Sequence, residues 1–480
     1  MPSNRAGVSS STNSGTQQTE RMPRLLLATD GPVGARFALV ELARRLRGAG
    51  HQVVVSGTLE LRTLAERHDF DFKSLPDNHT TEVRLSDSQR SRVERFRSLA
   101  ERRKAVWRAA GIEAWAALLE EAAPDLLLID GEMAEHVLMA ASRDVPLITL
   151  NTFASIWRAI DTPPPHTSIR PGAGAWGTRP GIALAWWLYG IRKRWMNLHL
   201  WWRHAGCDRR SILEHAANDL GIDLARISDG SHWLKPWVWT AFPALSLHAS
   251  EFEFSSALAQ VLATRKVCFA GPLLLQERCE AELPAEDRER LDALFAGSAG
   301  SAHGERCIIY VGLGSFFSAR EDWLRRLFAA VAGRPGWNLL LSLGGRQAPD
   351  FLETTDQIHV FRWLPQLEVL GRLQVAVVHG GINTIDECVL AGVPMLVCHG
   401  GETDMAGNQA RVVYHGLGLV ADPATDSPEH IGDSLDRLLQ DSTFRRRVEM
   451  MAESYRRYEQ EQVAEQWIAS CLSASLPGRL

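Results

Sequence analysis

The apolar positions of this chain fall into short continuous runs separated by longer stretches with helical spacing. The first run, RLLLAT at 24–29, stops at Asp30-Gly-Pro-Val-Gly34, the pattern of a buried strand ending in a turn. Leu39, Val40, Leu42, Ala43 and Leu46 then keep helical spacing until Gly48 and Gly50, and a second strand is predicted over 52–56. The same order returns with a helix over 114–122, a strand over 125–129, a helix over 135–142 and a strand over 146–150. Beyond residue 300 further strand-like runs occupy 307–311, 337–343, 358–361, 375–378 and 395–397, mostly with helical spacers between them. Such alternation predicts an α/β protein of doubly wound parallel sheets with helices on both faces.

The pattern also divides the chain. Residues 1–22, rich in Ser, Thr, Asn and Gln, are expected to be a disordered tail without the hydrophobic region of a secretory signal. A first unit should span 23–272, with a Trp-rich insert at 176–240, and a second 273–455, followed by a helical segment at 456–480 that packs back on the first. Residues 276–306, charged and then Gly/Ser/Ala-rich, are expected to carry few core contacts.

Composition narrows the class. An apolar share of 45% and a charged share of 23% over 480 residues suit a folded, water-soluble protein. A net charge of −5 sets up no global field for nucleic acid. The stretch 84–108 carries nine basic and three acidic residues, and reads as a mobile helix with a solvated face rather than a nucleic-acid patch. Seven cysteines without a C-x-x-C pair suit reduced thiols and a cytoplasmic location.

Nine of the sixteen tryptophans lie between Trp176 and Trp239, and Trp187, Ile191, Trp195, Leu198 and Trp202 repeat at helical spacing. Arg192, Lys193 and Arg194 interrupt the segment, so no membrane-spanning helix is predicted. The favoured expectation is a core-facing stripe with a solvated basic edge. A peripheral membrane contact, or a wall for a greasy ligand, is compatible with it.

The chemistry concentrates at 363–419, which reads WLPQ, VVHGG, NTIDE, AGVP and ETDMAGNQARVV before GLGL. A strand ending in His379-Gly380-Gly381 is followed by Thr384 and, three residues on, Glu387, the spacing of a capping box. Glycines at a strand-to-helix turn let backbone amides approach an anion at the positive end of a helix, a seat for a pyrophosphate. A second glycine-rich strand end, Val311-Gly-Leu-Gly-Ser315, offers another phosphate contact.

These residues resemble the donor signature of the nucleotide-sugar-dependent family 1 glycosyltransferases over more than fifty consecutive positions. A weaker likeness to its lipid, sterol and rhamnolipid branches runs through 205–247. The resemblance implies the GT-B fold, two Rossmann-like domains facing a central cleft. It implies that Trp363 stacks on the base, that Gln366 and Glu387 hold the ribose, and that His379, Gly381, Asn383, Thr384, Gly314 and Ser315 surround the diphosphate. Asp404 matches the acid that grips sugar hydroxyls, followed by Met405 where the family often has Gln. No metal or other cofactor is expected; the nucleotide sugar, a UDP-hexose for preference, is a co-substrate.

The family's usual histidine base is replaced by Ala35, with Ala38 in place of the expected Pro. Asp130 resembles the aspartate that normally orients that histidine, and Asp30, at the end of the first strand, is the other candidate base. Asp69 and Asp71 read as a surface pair beside a strand. The expected function is inverting transfer of a hexosyl group to a lipophilic small molecule, with Trp187, Trp195 and Trp202 on the acceptor side. A catalytically degenerate nucleotide-sugar-binding subunit is the alternative that Ala35 motivates, and a membrane-surface lipid-binding protein is a third.

Overall fold

The computed structural model describes residues 21–75, 80, 90–154, 157–229, 238–264, 266–278, 283–296, 307–312, 321–348, 351–352, 354–398 and 404–474. Two parallel sheets organise them. The first holds β1 (Arg24–Thr29), β2 (Gln52–Gly57), β3 (Asp71–Ser74), β4 (Leu126–Asp130), β5 (Leu147–Asn151), β6 (Ala244–Ser246) and β7 (Val267–Phe269), in the order β3-β2-β1-β4-β5-β6-β7. The second holds β8 (Cys307–Gly312), β9 (Trp337–Ser342), β10 (Ile358–Phe361), β11 (Val375–Val378), β12 (Met395–Val397) and β13 (Gly418–Val420), in the order β10-β9-β8-β11-β12-β13.

Both faces of each sheet are covered, which is why the strands are apolar throughout. Leu25 and Leu27 of β1 pack with the helix Val33–Gly48, while Leu26 and Ala28 face the helix Ile112–Ala122 on the other side. In the second sheet Ile308 and Tyr310 point to one layer and Ile309 and Val311 to the other. Strand order reverses between β1 and β4 and again between β8 and β11, and open α/β sheets bind ligands at the carboxyl ends of such strand pairs.

Residues 285–296 depart from the expected bare linker. The helix Ala285–Ala296 buries Leu291 and Phe295 in the core of the second domain. The C-terminal helix Ser442–Gln460 runs past residue 455, and the break falls at Gln462, whose φ of 49° is left-handed. The last helix, Val463–Ser473, crosses to the first domain and adds Ala464, Ile468 and Cys471 to its core.

The domains are locked together along residues 248–254. Buried Glu253 accepts from Arg411 Nη2 at 3.2 Å and pairs with His248 Nε2 at 3.0 Å. Arg411 also lies 4.5 Å above the Phe254 ring, and His415 Nε2 meets the Phe252 carbonyl at 3.2 Å. Tyr458 donates to Glu251 at 2.7 Å, and its ring fills the space where a Cβ on Gly271 (φ 73°) would stand.

The tryptophan helix, Arg179–Arg203, reverses the favoured expectation. It buries Ile182, Ala185, Trp186, Tyr189 and Lys193, and turns Trp187, Trp195, Leu198 and Trp202 outward. The opposite face is claimed by specific partners: Trp186 Nε1 donates to the Thr162 carbonyl at 2.7 Å and Tyr189 packs 4.6 Å from His166. The basic stretch before it is also not wholly solvated. Buried Arg102 donates to the carbonyls of Arg95, His204 and Ala205, and Arg103 donates to that of Gly206, so the pair ties down the end of this helix.

Two predictions follow from this packing. Ile468→Ala should destabilise the first domain by about 2–5 kcal/mol, as for other core truncations, although the residue lies in the last helix; urea unfolding read from first-domain tryptophan emission checks it. Burial holds His136 and His415 below the ordinary imidazole range and His166 down at about 4. The unfolded chain therefore binds more protons at all three, and stability should fall as pH drops from about 6.5 towards about 4. Melting midpoints across that range, with part of the drop flattened in His166→Phe, test the assignment.

Candidate nucleotide-sugar site

The carboxyl end of β11 carries His379, Gly380 and Gly381, and the helix Ile382–Leu390 starts immediately behind them. Gly380 needs its φ of 91°, and a Cβ on Gly381 would stand 2.6 Å from His379 Nε2, so the imidazole lies directly across this glycine. His379 Nδ1 reaches the Gly312 carbonyl at the end of β8, 3.4 Å away, which spans the switch point of the second sheet.

The expected capping box is not formed. The helix is capped by Gly381 without a side-chain bond, and Glu387 is drawn elsewhere. Its Oε1 accepts from Arg278 Nη2 at 2.5 Å and its Oε2 accepts from Gln366 Nε2. Gln366 Oε1 in turn accepts from Tyr310 O–H at 2.8 Å. A carboxylate offers about four lone-pair sites, so Glu387 keeps acceptor capacity for ligand hydroxyls.

Trp363, Gln366, Asn383, Thr384 and Glu387 line one cavity of about 320 Å³, together with Arg278, Arg346 and, from the first domain, Gly34 and Phe37. That volume is at the small end for ligand pockets. The two domains touch here. A Cβ on Gly34 would lie 1.9 Å from Asn383 Nδ2, so the absence of a side chain at 34 is what lets Asn383 approach. Arg278 stacks 4.7 Å over Phe37 while pairing with Glu387, bridging the domains with one guanidinium. Arg278, Arg346 and Phe37 belong to no donor motif. The one signal for Arg278 was a cation placed just after the domain boundary.

Across from this cavity lies the β1/β4 end of the first sheet. Asp130 is buried, with Oδ2 accepting from Thr29 Oγ1 at 2.9 Å and Oδ1 from the Glu132 amide at 3.0 Å. Asp30 is exposed at the end of β1. Ala35 is buried in the first turn of the following helix. His136 is a further titratable group here: Asp30 acts on it electrostatically, its Nδ1 has no hydrogen-bond partner among the described residues, and burial lowers its pKa. It stands six residues after Asp130, outside any donor motif.

Asp404 sits buried at the start of the helix Met405–His415, accepting from Asn408 Nδ2 at 2.9 Å, and Met405 packs beside Gly380. Gly314 and Ser315 lie outside the described residues. Trp187, Trp195 and Trp202 are on the outer surface and line neither this cavity nor a larger one, of about 1020 Å³, behind their helix. That larger cavity is lined by charged groups, among them Lys193, Arg210, Glu214 and Asp229, which does not suit an apolar ligand. Burial and the nearby Arg210 push the Lys193 ammonium down to about 8. Asp69 precedes β3 and Asp71 is its first residue, both at the amino end of the strand, and no cluster of metal-ligating side chains occurs among the described residues.

Residues 250–457 match the family model described as UDP-glucoronosyl and UDP-glucosyl transferase. These residues, a little over two fifths of the chain, are similar to the UDP-glycosyltransferase family. The oleandomycin glycosyltransferase of Streptomyces antibioticus is 31% identical over 124 residues, 26% of this chain and 28% of that protein. The demethyllactenocin mycarosyltransferase of Streptomyces fradiae is 29% identical over 182 residues, 38% and 39% of the two chains. The chain thus aligns with between a quarter and two fifths of the length of these curated relatives. Solved structures extend the likeness to the whole fold. The glycotransferase of kitacinnamycin superposes with a TM-score of 0.66 at 19% identity, over 94% of this chain and 99% of that one. The calicheamicin glycosyltransferase CalG4 gives 0.62 at 17%, over 95% and 100%. The fold is GT-B.

Trp363→Ala should weaken uridine diphosphate binding about 5- to 150-fold, the worth of one stacked base. Glu387→Gln should shrink the preference for UDP over its 2′-deoxy analogue. Calorimetry with both nucleotides measures each, and unchanged affinities in the two variants would place the nucleotide elsewhere.

Proposed function

We propose that this protein is an inverting hexosyltransferase that moves a sugar from a nucleoside diphosphate, UDP for preference, to a hydroxyl of a lipophilic small molecule in the cytoplasm. The observation that carries the reading is the cavity shared by Trp363, Gln366, Glu387 and Asn383, which closes against Gly34 and Phe37 of the other domain. Curated relatives named for oleandomycin and mycarosyl transfer support small-molecule acceptors. A structural neighbour named glycosyltransferase VinC, solved in complex with dTDP, supports a nucleotide-sugar donor.

In this reading the base stacks on Trp363 and the ribose hydroxyls share Glu387 with Arg278 and Gln366. The diphosphate lies at the amino end of the helix Ile382–Leu390, beside Asn383, Thr384 and His379, where backbone N–H groups and the helix dipole stabilise the departing charge. The reaction needs no metal or cofactor in this scheme. An acceptor hydroxyl attacks the anomeric carbon from the opposite face as the bond to the diphosphate breaks, and its proton passes to Asp30. Asp130 is the weaker candidate for that proton, because both its oxygens already serve the β1/β4 turns. Asp130 acts instead as the strut that holds Thr29 and the Gly31 turn beneath Asp30.

Transfer of radiolabelled glucose from UDP-glucose to a panel of hydroxylated lipophilic acceptors is the direct test, with other donors to follow. Product should vanish in His379→Ala and drop about 10²- to 10⁴-fold in Asp30→Asn at unchanged nucleotide affinity. The buried Ala35 favours the second reading, a nucleotide-sugar-binding subunit without catalysis. Nucleotide binding with no transfer from any donor would establish that reading instead.

A further inference from the structure

The helix Arg179–Arg203 is amphipathic in the unusual sense: its polar-free stripe faces solvent. Trp187, Trp195, Leu198 and Trp202 are 61%, 69%, 55% and 51% exposed, and Leu184 and Leu188 continue the stripe at helical spacing. Singly exposed apolar residues are ordinary, whereas a contiguous set this long marks a surface that another body covers. The neighbouring helix Arg92–Arg97 extends it with exposed Val93, and Arg92 stacks 4.5 Å over the Trp202 ring.

Charge selects the partner. The helix has no Asp or Glu in its 25 residues, and exposed Arg192, Arg194 and Arg203 flank the apolar stripe. Residues 90–97 add four arginines against one acid, Glu94, whose carboxylate is held by Ser91. A second copy of this helix would oppose arginine with arginine and offer no carboxylate in return. An anionic lipid headgroup layer answers both demands, taking the indoles and leucines at the acyl boundary and the guanidiniums at the phosphates. No helix among the described residues is long and apolar enough to cross a bilayer, so the contact is with the surface.

The opposite face of the helix keeps this orientation. It is fixed to the segment around Thr162 and His166, and the Pro165 carbonyl of that segment accepts from the Gly407 amide of the second domain at 2.9 Å. The surface helix and the helix that begins at Met405 are therefore two bonds of packing apart.

We propose that the Trp/Leu stripe of Arg179–Arg203, with its arginine flanks, docks the protein on anionic membrane surfaces. This stands on surface geometry and does not require the transferase reading. The test is co-sedimentation of the full chain with phosphatidylcholine vesicles and with vesicles containing phosphatidylglycerol, at low and high salt. Binding should need the anionic lipid, weaken with salt, and blue-shift tryptophan emission. The triple variant Trp187→Ser, Trp195→Ser, Trp202→Ser should lose most binding with an unchanged melting midpoint. Arg192→Gln with Arg194→Gln should lose about fivefold per arginine at low salt only. No sedimentation with anionic vesicles at low salt, or sedimentation indifferent to both variants, overturns the proposal. Light scattering that finds a dimer in the parent and a monomer in the triple variant, without vesicle binding, would assign the stripe to a second copy.

Discussion

One buried ion pair decides where everything else stands. Arg411 and Glu253 lie in different domains, 3.2 Å apart and almost fully removed from water. A charge transferred to such a site is tolerated only if its partner and its hydrogen bonds travel with it, and loss of one partner costs roughly 3–5 kcal/mol. Glu253 meets that condition through Arg411 and His248, and Arg411 gains the Phe254 ring besides. The pair therefore specifies a relative placement of the two sheets that apolar packing alone would leave free to slide. With that placement set, the switch point between β1 and β4 faces the one between β8 and β11.

The consequence appears at the opposing turns. Glycine at 34 lets the Asn383 amide come up to the first domain, and glycine at 381 lets the His379 ring fold across the helix start. Both save space at the amino end of one helix, where partial positive charge gathers. Arg278 adds a full positive charge to the same cavity and is held there from both sides, by Glu387 of the second domain and the Phe37 ring of the first. The cavity is thus biased towards an anionic ligand by two devices, the helix start and Arg278, of which only the helix start is visible as a motif.

That difference measures what the sequence could reveal. The long apolar strands and their helices were legible because both faces of each sheet are covered and the runs are unbroken. β6, β7 and β13, at three residues each, were not picked out, whereas β12, equally short, was legible as the apolar run Met395–Val397. Thr384 and Glu387 matched a capping box in spacing, yet spacing does not tell whether a carboxylate turns back to its own backbone or outward to Gln366 and Arg278. Arg278 stayed hidden because a single cation in a connecting segment has no pattern of its own. Asp130 and Asp30 were placed correctly at strand ends, but the hydrogen bonds that separate a strut from an open carboxylate belong to the tertiary structure.

The tryptophan helix exposes a deeper limit. Periodicity fixes that Trp187, Trp195, Leu198 and Trp202 share one face; it carries no sign for whether that face points inward. The sign is set by competition for the core. Trp186 can donate to the Thr162 carbonyl and Tyr189 can pack on His166, so the narrower face with Ile182 and Ala185 wins the protein side, even at the cost of burying Lys193. The wider apolar face is left to water, which is unfavourable by an amount that grows with its area. Arg102 and Arg103 spend buried hydrogen bonds on holding the end of this helix. A stripe kept in water by that much structure makes physical sense only if water is not its usual neighbour.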